Sequence, residues 1–499
     1  MNKIFKFTVF ILIVGAMFSC DMDRFPYDNI AREQSLESIN DAKSWDNGVY
    51  SFFRGRQYGI YTFSQDVQAD ELNASLDYGN RNGPPHRWTT YTSDDYTIRD
   101  TWAAYYRALT NVNFLINAYP GLAEKLTEAD QKAQLNIYLG NAHFARAFYY
   151  NELALRWSKA YNPATASTDL SVPIVKEFDV SLKPPRATLK EVYDLILDDL
   201  STAKTLLSSV EGTPQATRFN KDVVTAMEAR VKLYMQDWDG AYTAANSLIA
   251  SNKYPLEKDA DGMEELWIND NSDEVIMQVF VDKPSELAAA NNIYLGLQAA
   301  TGKYTPDFIP SKWIVDMFED NDIRKDAYFD KDLTVYIQGS DYNDIYLVSK
   351  YSGNPALFTG ASTNYAHAPK VFRIAEMYLI AAEAAYKIPG RETASLKALN
   401  DLRTARGISA VNSSGATLFK DIKDERQREL AFEGFRLFDL KRWNEGFERR
   451  DPQNINVLSP GADYFTKKVS ASDNKFVWGL PSRDITNNPS LQGHQNPGW

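Results

Sequence analysis

Hydrophobic residues recur at helical spacing through two long parts of the chain, residues 99–250 and residues 371–443. A buried helix face repeats every three to four residues, whereas a half-buried strand alternates every two. The segments with helical spacing are Asp41–Phe53, Arg99–Tyr119, Glu128–Trp157, Thr188–Leu207, Asn220–Met235, Val371–Lys387 and Arg391–Gly407. The pattern therefore predicts a mainly α-helical protein.

Small residues recur at matched points on successive helices. Ala229 and Ala241 lie 12 residues apart, and Ala382 and Ala394 repeat that step. Small residues let two antiparallel helices approach closely, so these segments resemble degenerate tetratricopeptide (TPR) hairpins. Because one hairpin cannot bury its apolar face alone, we expect several hairpins to stack.

Two irregular stretches interrupt the helices, residues 54–95 and residues 254–370. Both lose the helical spacing and are rich in glycine, asparagine and aromatic residues. Strand-like runs occur at Glu274–Phe280 and Asp344–Val348, and again in the tail at Lys475–Leu480. Long loops of this kind more often carry function than not. We predict an irregular, ligand-binding lobe with short strands, inserted into the helical scaffold.

The stretch Asp424–Trp443 mixes aromatic residues and charges too closely for a clean amphipathic stripe. A helix is expected to run through Glu433 and to end at Gly434, with a second short helical turn after it. Charges that lie against apolar neighbours need partners, and the spacing pairs Asp424 with Arg428 and Glu433 with Arg436. We interpret the stretch as a buried, ion-paired clamp between helices. A catalytic carboxylate site is the alternative.

Composition narrows the function classes. The 499 residues carry a net charge of −12, which disfavours binding to a nucleic-acid backbone. Four scattered histidines and one cysteine predict no metal cluster, and no cofactor motif is present. The sequence also lacks a serine–histidine–aspartate order, an HExxH motif and a phosphate loop, so a hydrolase is not supported.

The N-terminus has the features of an export signal. Two lysines precede an apolar run, Phe7–Phe18, which is too short to span a membrane. Cys20 follows this run, and its placement resembles the lipidation site of bacterial lipoproteins. We expect residues 1–19 to be a signal peptide and residues 20–40 to be a lipidated tether. A signal peptide with an incidental cysteine is the alternative.

Three motifs occur in order along the chain. They are Tyr106-Arg107-x3-Asn111-Val112-Asn113-Phe114-Leu115, the helices from Phe372-Arg373-Ile374 to Arg406-Gly407-Ile408, and Asp424–Trp443. Together with the cysteine they closely resemble the SusD/RagB family of Bacteroidetes outer-membrane lipoproteins. The resemblance runs from Cys20 to the C-terminus and implies one SusD-like domain over residues 41–499.

The resemblance implies a function as well as a fold. It implies TPR-like helices that carry a variable lobe, and a lipid-anchored protein exposed at the cell surface. The protein would bind a polysaccharide or oligosaccharide without cleaving it and deliver it to a SusC-like TonB-dependent transporter, acting as a hinged lid. Peptide import, as in RagB-like relatives, and a TPR interaction scaffold are the alternatives.

Sugar rings present apolar faces and hydroxyl edges, so their recognition needs an exposed aromatic ring with polar groups beside it. Trp88 is the first candidate, because it follows Gly83-Pro84-Pro85 on a loop that is not expected to form a helix. The other candidates are Asp70, Asn73, Tyr91, Trp267, Tyr294, Tyr304, Trp313, Tyr342, Tyr346 and Arg373. The alternative is packing for the aromatic residues, turn capping for Asp70 and Asn73, and a structural ion pair for Arg373.

Overall fold

The structure, a computed structural model, describes residues 35–179, 181–288, 292–450 and 452–499. The helices of this part of the chain are α1 (Ile39–Arg54), α2 (Phe63–Gln68), α3 (Gly83–Arg87), α4 (Tyr96–Lys125), α5 (Ala129–Trp157), α6 (Leu189–Leu206), α7 (Lys221–Met235), α8 (Trp238–Ala250), α9 (Ala260–Trp267), α10 (Lys312–Val315), α11 (Lys325–Tyr328), α12 (Ile374–Lys387), α13 (Glu392–Ala405), α14 (Gly415–Glu429), α15 (Arg436–Trp443), α16 (Ala462–Phe465) and α17 (Ser482–Asn487). The strands are β1 (Leu72–Ala74), β2 (Leu170–Pro173), β3 (Arg186–Thr188), β4 (Val275–Gln278), β5 (Leu297–Gln298), β6 (Lys303–Tyr304), β7 (Phe308–Pro310), β8 (Phe329–Asp330), β9 (Val335–Ile337), β10 (Ser340–Tyr342), β11 (Leu347–Val348), β12 (Lys370–Arg373), β13 (Phe447–Glu448) and β14 (Lys468–Val469).

The long helices form the stacked scaffold that the sequence predicts. α4 packs against α5 and α5 against α6, while the α7–α8 hairpin packs against the α12–α13 hairpin. Ala229, Ala241 and Ala382 are fully buried, which fits the close approach of these helices. Ser395 Oγ donates a hydrogen bond to the Ala382 carbonyl, 2.7 Å away, across the second hairpin. The prediction of a mainly α fold with stacked hairpins is confirmed.

Side chains fix where these helices begin. Thr188 and Glu191 form a reciprocal capping box at the start of α6. Asn220 Oδ1 accepts hydrogen bonds from the N–H groups of Asp222 and Val223 at the start of α7. Both starts therefore follow from local sequence.

The irregular lobe is built from short strands and has its own apolar cores. β1 pairs with β7, β8 with β11, and β5, β6, β9 and β10 form a four-stranded sheet. One core is centred on Phe308, Tyr328 and Phe432, and a second lies around Ile309 and Val335. β4 of the lobe pairs with β12, which leads directly into the scaffold helix α12.

The stretch Gly83–Arg87 forms the short helix α3, so the expectation of a non-helical loop there is wrong. Pro84 and Pro85 stand at the first positions of this helix, where no helical N–H is required, and proline is tolerated there.

The tail segment Lys475–Leu480 is not a strand, in contrast to the prediction. It begins with a 3₁₀ turn, Asn474–Phe476. The Trp478 N–H then donates to the Arg156 carbonyl at 2.8 Å, and Trp157 Nε1 donates to the Gly479 carbonyl at 2.9 Å. The alternating apolar residues therefore dock on the end of α5 rather than in a sheet.

The helix of the predicted clamp ends earlier than expected, at Glu429 rather than Glu433. Phe432 and Gly434 adopt positive φ angles of 64° and 81° in the turn that follows. A Cβ on Gly434 would lie 2.9 Å from the Thr62 carbonyl oxygen, so this approach also requires glycine. Beyond this turn Glu433 accepts bonds from Lys350 and Arg373 rather than Arg436, and Arg428 pairs with Glu425 rather than Asp424, so the pairs predicted from local spacing are wrong.

The observed ion pairs are long-range and mostly buried. These side chains, which we name the clamp, are Glu274, Arg324, Lys350, Arg373, Arg406, Glu425, Glu429 and Glu433. Glu429 accepts hydrogen bonds from Arg324 at 3.0 Å, Arg373 at 2.7 Å and Arg406 at 2.9 Å. Since Glu274, Arg324 and Lys350 belong to the lobe and the other clamp residues to the scaffold side, the clamp joins the two parts.

The clamp carboxylates stay ionised despite burial. Burial alone would raise the pKa of Glu425, but the guanidinium groups of Arg324 and Arg428 outweigh it and lower the pKa to about 2. Burial likewise opposes ionisation of Glu429, whose pKa Arg406 and Arg373 hold well below its ordinary value.

The predicted signal peptide (residues 1–19), Cys20 and residues 20–34 of the tether lie outside the described residues. Within the described ranges, no helix combines the length and the apolar character that crossing a membrane requires.

Candidate functional site

Trp88 lies inside a small apolar cluster, with 6% of its surface exposed. Its ring meets those of Phe447 and Phe476 edge-on, at centroid distances of 5.6 and 5.1 Å. Its Nε1 donates to the Gln68 carbonyl at 2.6 Å. In this conformation the ring anchors the segment that precedes it and offers no face to a ligand.

Asp70, Asn73 and Trp313 lie together beside the β1–β7 pair, and their polar groups are engaged. Asp70 accepts two hydrogen bonds of 2.9 Å from Arg436. Asn73 is fully buried and accepts from Ser311 Oγ at 2.8 Å. Trp313 is half-buried, and its Nε1 donates to the Asp70 carbonyl. Asp70 therefore ties this part of the lobe to α15, while Asn73 and Trp313 form bonds within the surrounding loops.

Trp267, Tyr294 and Arg373 are buried where the lobe meets the clamp. Lys350 Nζ lies 4.0 Å from the centroid of the Trp267 ring, and Tyr294 stacks on Tyr351 at 6.0 Å. Arg373 donates to three clamp carboxylates. The structural ion pair considered for Arg373 is therefore present.

The remaining candidates lie apart from each other. Tyr91 is buried against Trp499, with ring centroids 5.1 Å apart. Tyr304 and Tyr342 are half-buried at the four-stranded sheet, and Tyr346 packs edge-on against Phe329. The structure does not bring the sequence candidates together on one exposed face.

A cavity lies between lobe and scaffold, with a volume of about 100 Å³. Its lining includes Tyr58, Trp267, Tyr351, His367 and Arg373. Because an apolar cavity of about 150 Å³ accommodates benzene, this one has room for a few water molecules rather than for part of a polymer.

A larger groove, of about 880 Å³, runs between residues 159–170 and residues 471–497. Its aromatic residues are engaged with protein, since Phe476 is buried and Tyr161 packs edge-on against Tyr193 at 5.0 Å. Over the described residues, no group of three or more His, Cys, Asp or Glu side chains is placed to hold a metal ion.

Aromatic and polar groups converge instead around the segment between β1 and α4. The surface that we name the aromatic–arginine surface consists of the exposed Asn80, Arg81 and Tyr96, the half-buried Arg87 and Tyr464, and the buried Tyr78. Tyr96 is 40% exposed, and the Arg81 side chain is 60% exposed. An exposed ring beside guanidinium and amide groups is the arrangement that sugar recognition requires.

Hydrogen bonds fix the relative positions of these groups. Arg87 Nη1 donates to Tyr78 Oη at 2.6 Å, Asn80 Oδ1 at 2.7 Å and Tyr464 Oη at 3.1 Å. Its guanidinium carbon lies 5.8 Å from the centroid of the Tyr464 ring. Residues from distant parts of the chain therefore share one surface.

Tyr96 and Arg81 are positioned by neighbours of their own. The Tyr96 hydroxyl donates to Asn82 Oδ1 at 2.5 Å. Arg81 forms a two-point ion pair with Asp307, in which Nε lies 2.7 Å from Oδ2. Burial raises the pKa of Asp307, and the bonds from Arg81 oppose that rise.

The backbone of this surface is strained. Gly79, Asn80 and Asn82 have φ angles of 61°, 59° and 54°, and Trp88 and Thr90 have φ angles of 58° and 54°. Glycine and asparagine tolerate this conformation, but for tryptophan and threonine it costs on the order of 1–3 kcal/mol each. Backbone strain of this kind is common at ligand sites and persists where packing enforces it. Here the buried Trp88 ring supplies that packing.

None of the six residues of this surface was among the candidates from the sequence. Tyr96 lies between the irregular stretch predicted to end at residue 95 and the helix predicted to begin at Arg99, and the structure places it at the start of α4. Tyr464 lies 386 positions after Tyr78, its hydroxyl partner, with no local signal to join them. Arg87 directly precedes Trp88 and carries no local signal of its own. The glycine and asparagine content of residues 79–83 was the available signal for this surface.

Comparison with known proteins gives the class of this fold. A model described as the SusD family matches residues 234–499, more than half of the chain. A second, described as starch-binding associating with outer membrane, matches residues 25–233. The chain belongs to the SusD family.

Individual relatives agree with this assignment over the full length. SusD-like protein P38 of Formosa agariphila is 26% identical over 550 aligned positions, which cover 98% of each chain. A second SusD-like protein of the same species is 23% identical and is covered completely, as is this chain.

Solved structures share the fold. A SusD superfamily protein from Bacteroides thetaiotaomicron superposes with a TM-score of 0.78 at 22% identity, over 92% of this chain and 100% of that one. A SusD-like carbohydrate binding protein from Bacteroides vulgatus gives a TM-score of 0.74 at 20% identity, over 91% and 97%.

Proposed function

We propose that this protein binds a polysaccharide or oligosaccharide on the aromatic–arginine surface and does not cleave it. The observation that carries the proposal is the exposed Tyr96 ring, bonded to Asn82 near Arg81, on the same segment as the hydrogen-bonded pair of Asn80 and Arg87. The ring can bury the apolar face of a sugar, and the amide and guanidinium groups can bond its hydroxyl groups. The printed descriptions of the matching family and of the Bacteroides vulgatus structure support a saccharide ligand.

A binding role without catalysis also fits the carboxylates of this surface. Glycoside hydrolysis ordinarily uses two carboxyl groups that flank the scissile bond. Asp307 is mostly buried and held by two bonds from Arg81, so it is not free to act as an acid or a nucleophile.

Affinity electrophoresis against starch, fructan, plant cell-wall and host glycans tests this proposal. We expect at least one polysaccharide to retard the purified protein, with no reducing ends released over time. Retardation by none of them, together with calorimetric binding of peptides, would favour peptide capture of the RagB type and overturn the proposal.

The proposal extends to delivery of the glycan to a SusC-like TonB-dependent transporter, with Cys20 as the lipid anchor at the outer-membrane surface. Membership in the SusD family supports this part. We expect extraction in mild detergent to recover the protein together with an outer-membrane barrel, and Cys20→Ser to release it from the membrane fraction. Recovery of a lone monomer from intact membranes would count against it.

A further inference from the structure

We propose that the glycan recognised by this surface is acidic, and that Arg87 binds a carboxylate or sulfate group on it. The inference rests on the proposed function of the same surface and adds the chemical class of the ligand. Its basis is a guanidinium group that is held in place but not neutralised.

Arg87 has only neutral partners. Its Nη1 donates to two phenol oxygens and one amide oxygen, of Tyr78, Tyr464 and Asn80. Within the described part of the chain, Nε and Nη2 have no protein acceptor, and no carboxylate forms an ion pair with the group. The guanidinium group therefore keeps its full charge and two donors for a ligand, in the fork geometry that suits carboxylate and sulfate oxygens.

Several arginine residues nearby are paired with carboxylates: Arg81 with Asp307, Arg436 with Asp70, and Arg99 with Asp100. Arg449 lacks a carboxylate partner, as Arg87 does, but Arg449 is buried and its donors meet backbone carbonyls. Nε and Nη2 of Arg87 differ in having no protein acceptor among the described residues. A purely structural role for Arg87 would be served as well by a carboxylate pair.

The backbone makes room for the guanidinium group. A Cβ on Gly83 would lie 2.6 Å from Arg87 Nη1 and 2.1 Å from Asn80 Oδ1, so a side chain there would displace the ends of these two side chains. The absence of a side chain at Gly83 thus lets Arg87 and Asn80 meet over the start of α3.

The surroundings of Arg87 add positive rather than negative charge. Arg449 is buried beneath the surface, and it donates only to the backbone carbonyls of Ala69 and Asp463. His86 is fully buried between these two arginines; burial first, and then Arg449 and Arg87, hold its pKa well below the ordinary value. His86 is therefore neutral, and the two guanidinium groups give the site an excess of positive charge.

The nearby carboxylates do not cancel this charge. Asp307 is taken by Arg81, and Asp463 forms an ion pair with Lys467 at 3.1 Å. Asp95 accepts from the Thr97 N–H at the start of α4. An anionic sugar substituent would therefore meet the Arg87 guanidinium group, while the carboxylates around it are already bonded to other protein groups.

Matched pairs of polymers test the inference. Affinity electrophoresis would compare sodium polygalacturonate with its carboxyl-reduced form, and a sulfated galactan with its desulfated form. We expect wild-type protein to bind the acidic member of at least one pair at least about tenfold more tightly than the neutral member. We also expect 0.5 M NaCl to weaken that preference.

Arg87→Gln is expected to lower affinity for the acidic polymer by about 10- to 100-fold and to change affinity for its neutral form by less than about threefold. Arg87→Lys keeps the positive charge but loses the paired N–H donors of the guanidinium group, so its affinity for the acidic polymer should lie between those of wild type and Arg87→Gln. Arg99→Gln, which removes an exposed arginine that is paired with Asp100, is the matched control and should bind as wild type.

The outcomes separate the two proposals. Three results would overturn the acidic ligand while leaving glycan binding intact. Wild-type protein could bind the acidic and neutral members of each pair equally, or bind neutral glycans alone. Alternatively, Arg87→Gln could lose affinity for the acidic and neutral polymers equally, with no higher affinity in Arg87→Lys. Retention of no saccharide by wild-type protein would overturn the proposed function itself.

Discussion

Glu429→Gln is expected to lower the free energy of unfolding by about 3–5 kcal/mol. Glu429 is fully buried and accepts hydrogen bonds from Arg324, Arg373 and Arg406. Glutamine has nearly the same volume but no charge, so three buried guanidinium groups would lose a counter-ion that they share. Urea unfolding followed by circular dichroism measures the effect.

The matched control is Glu448→Gln, because Glu448 pairs with Lys468 at an exposed position. We expect this change to stay within about 0.5 kcal/mol of wild type, since exposed ion pairs contribute little. A loss for Glu429→Gln no larger than that of the control would show that the clamp does not hold the lobe to the scaffold.

Acid titration gives an independent check on the clamp. The pKa of Glu429 is well below its ordinary value in the folded protein, so its contribution is fully present above the unfolded value, near 4.5, and is lost as pH falls through the folded value. The stability difference between wild type and Glu429→Gln should be constant from pH 7 to about 5. The difference should narrow as the pH falls below 4.5 towards the folded pKa of Glu429.

Replacing both Tyr96 and Tyr464 with alanine is expected to reduce glycan affinity by about 30- to 1000-fold. Loss of two aromatic contacts removes roughly 2–4 kcal/mol of binding free energy, from burial of apolar area and ring stacking together. Tyr96 is the cleaner of the two positions, because its ring is exposed and its hydroxyl makes one hydrogen bond. Calorimetry with the polysaccharide that retards the wild-type protein measures the change.

Two control variants separate stacking from folding. Tyr96→Phe keeps the ring and loses only the bond to Asn82, so it should bind within about fivefold of wild type. Tyr342→Ala removes a half-buried tyrosine from the distant four-stranded sheet and should leave binding unchanged. If the double variant bound with wild-type affinity, or if all variants lost affinity equally, the glycan site would not be on this surface.

The scaffold could be predicted from the sequence because its signals are local. The capping residues Thr188 and Asn220 mark helix starts, and the apolar period marks buried faces. The sequence predicted a buried, ion-paired clamp, but it predicted the wrong ion-pair partners. Glu433 bonds Lys350 and Arg373 rather than Arg436, because the helix ends at Glu429 and the chain turns.

The candidate site was less accessible to sequence reasoning. Residues 54–95 were predicted to lack regular structure, whereas α2 and α3 form within them, and the large aromatic residue of this stretch, Trp88, is an anchor and lies buried. The exposed groups are smaller or charged, and one of them, Tyr464, comes from the C-terminal part of the chain. Which aromatic rings face solvent depends on tertiary packing, which residue spacing does not encode.

Hydrogen-exchange mass spectrometry of the full-length protein, with and without the polysaccharide that it retains, tests the central claim most directly. We predict that glycan binding slows backbone exchange in residues 77–96 and 461–466. Exchange elsewhere should not change. Two results would contradict the account. Slower exchange confined to residues 159–170 and 471–497 would place the ligand in the groove. Slower exchange confined to residues 265–268 and 350–373 would place it in the cavity beside the clamp.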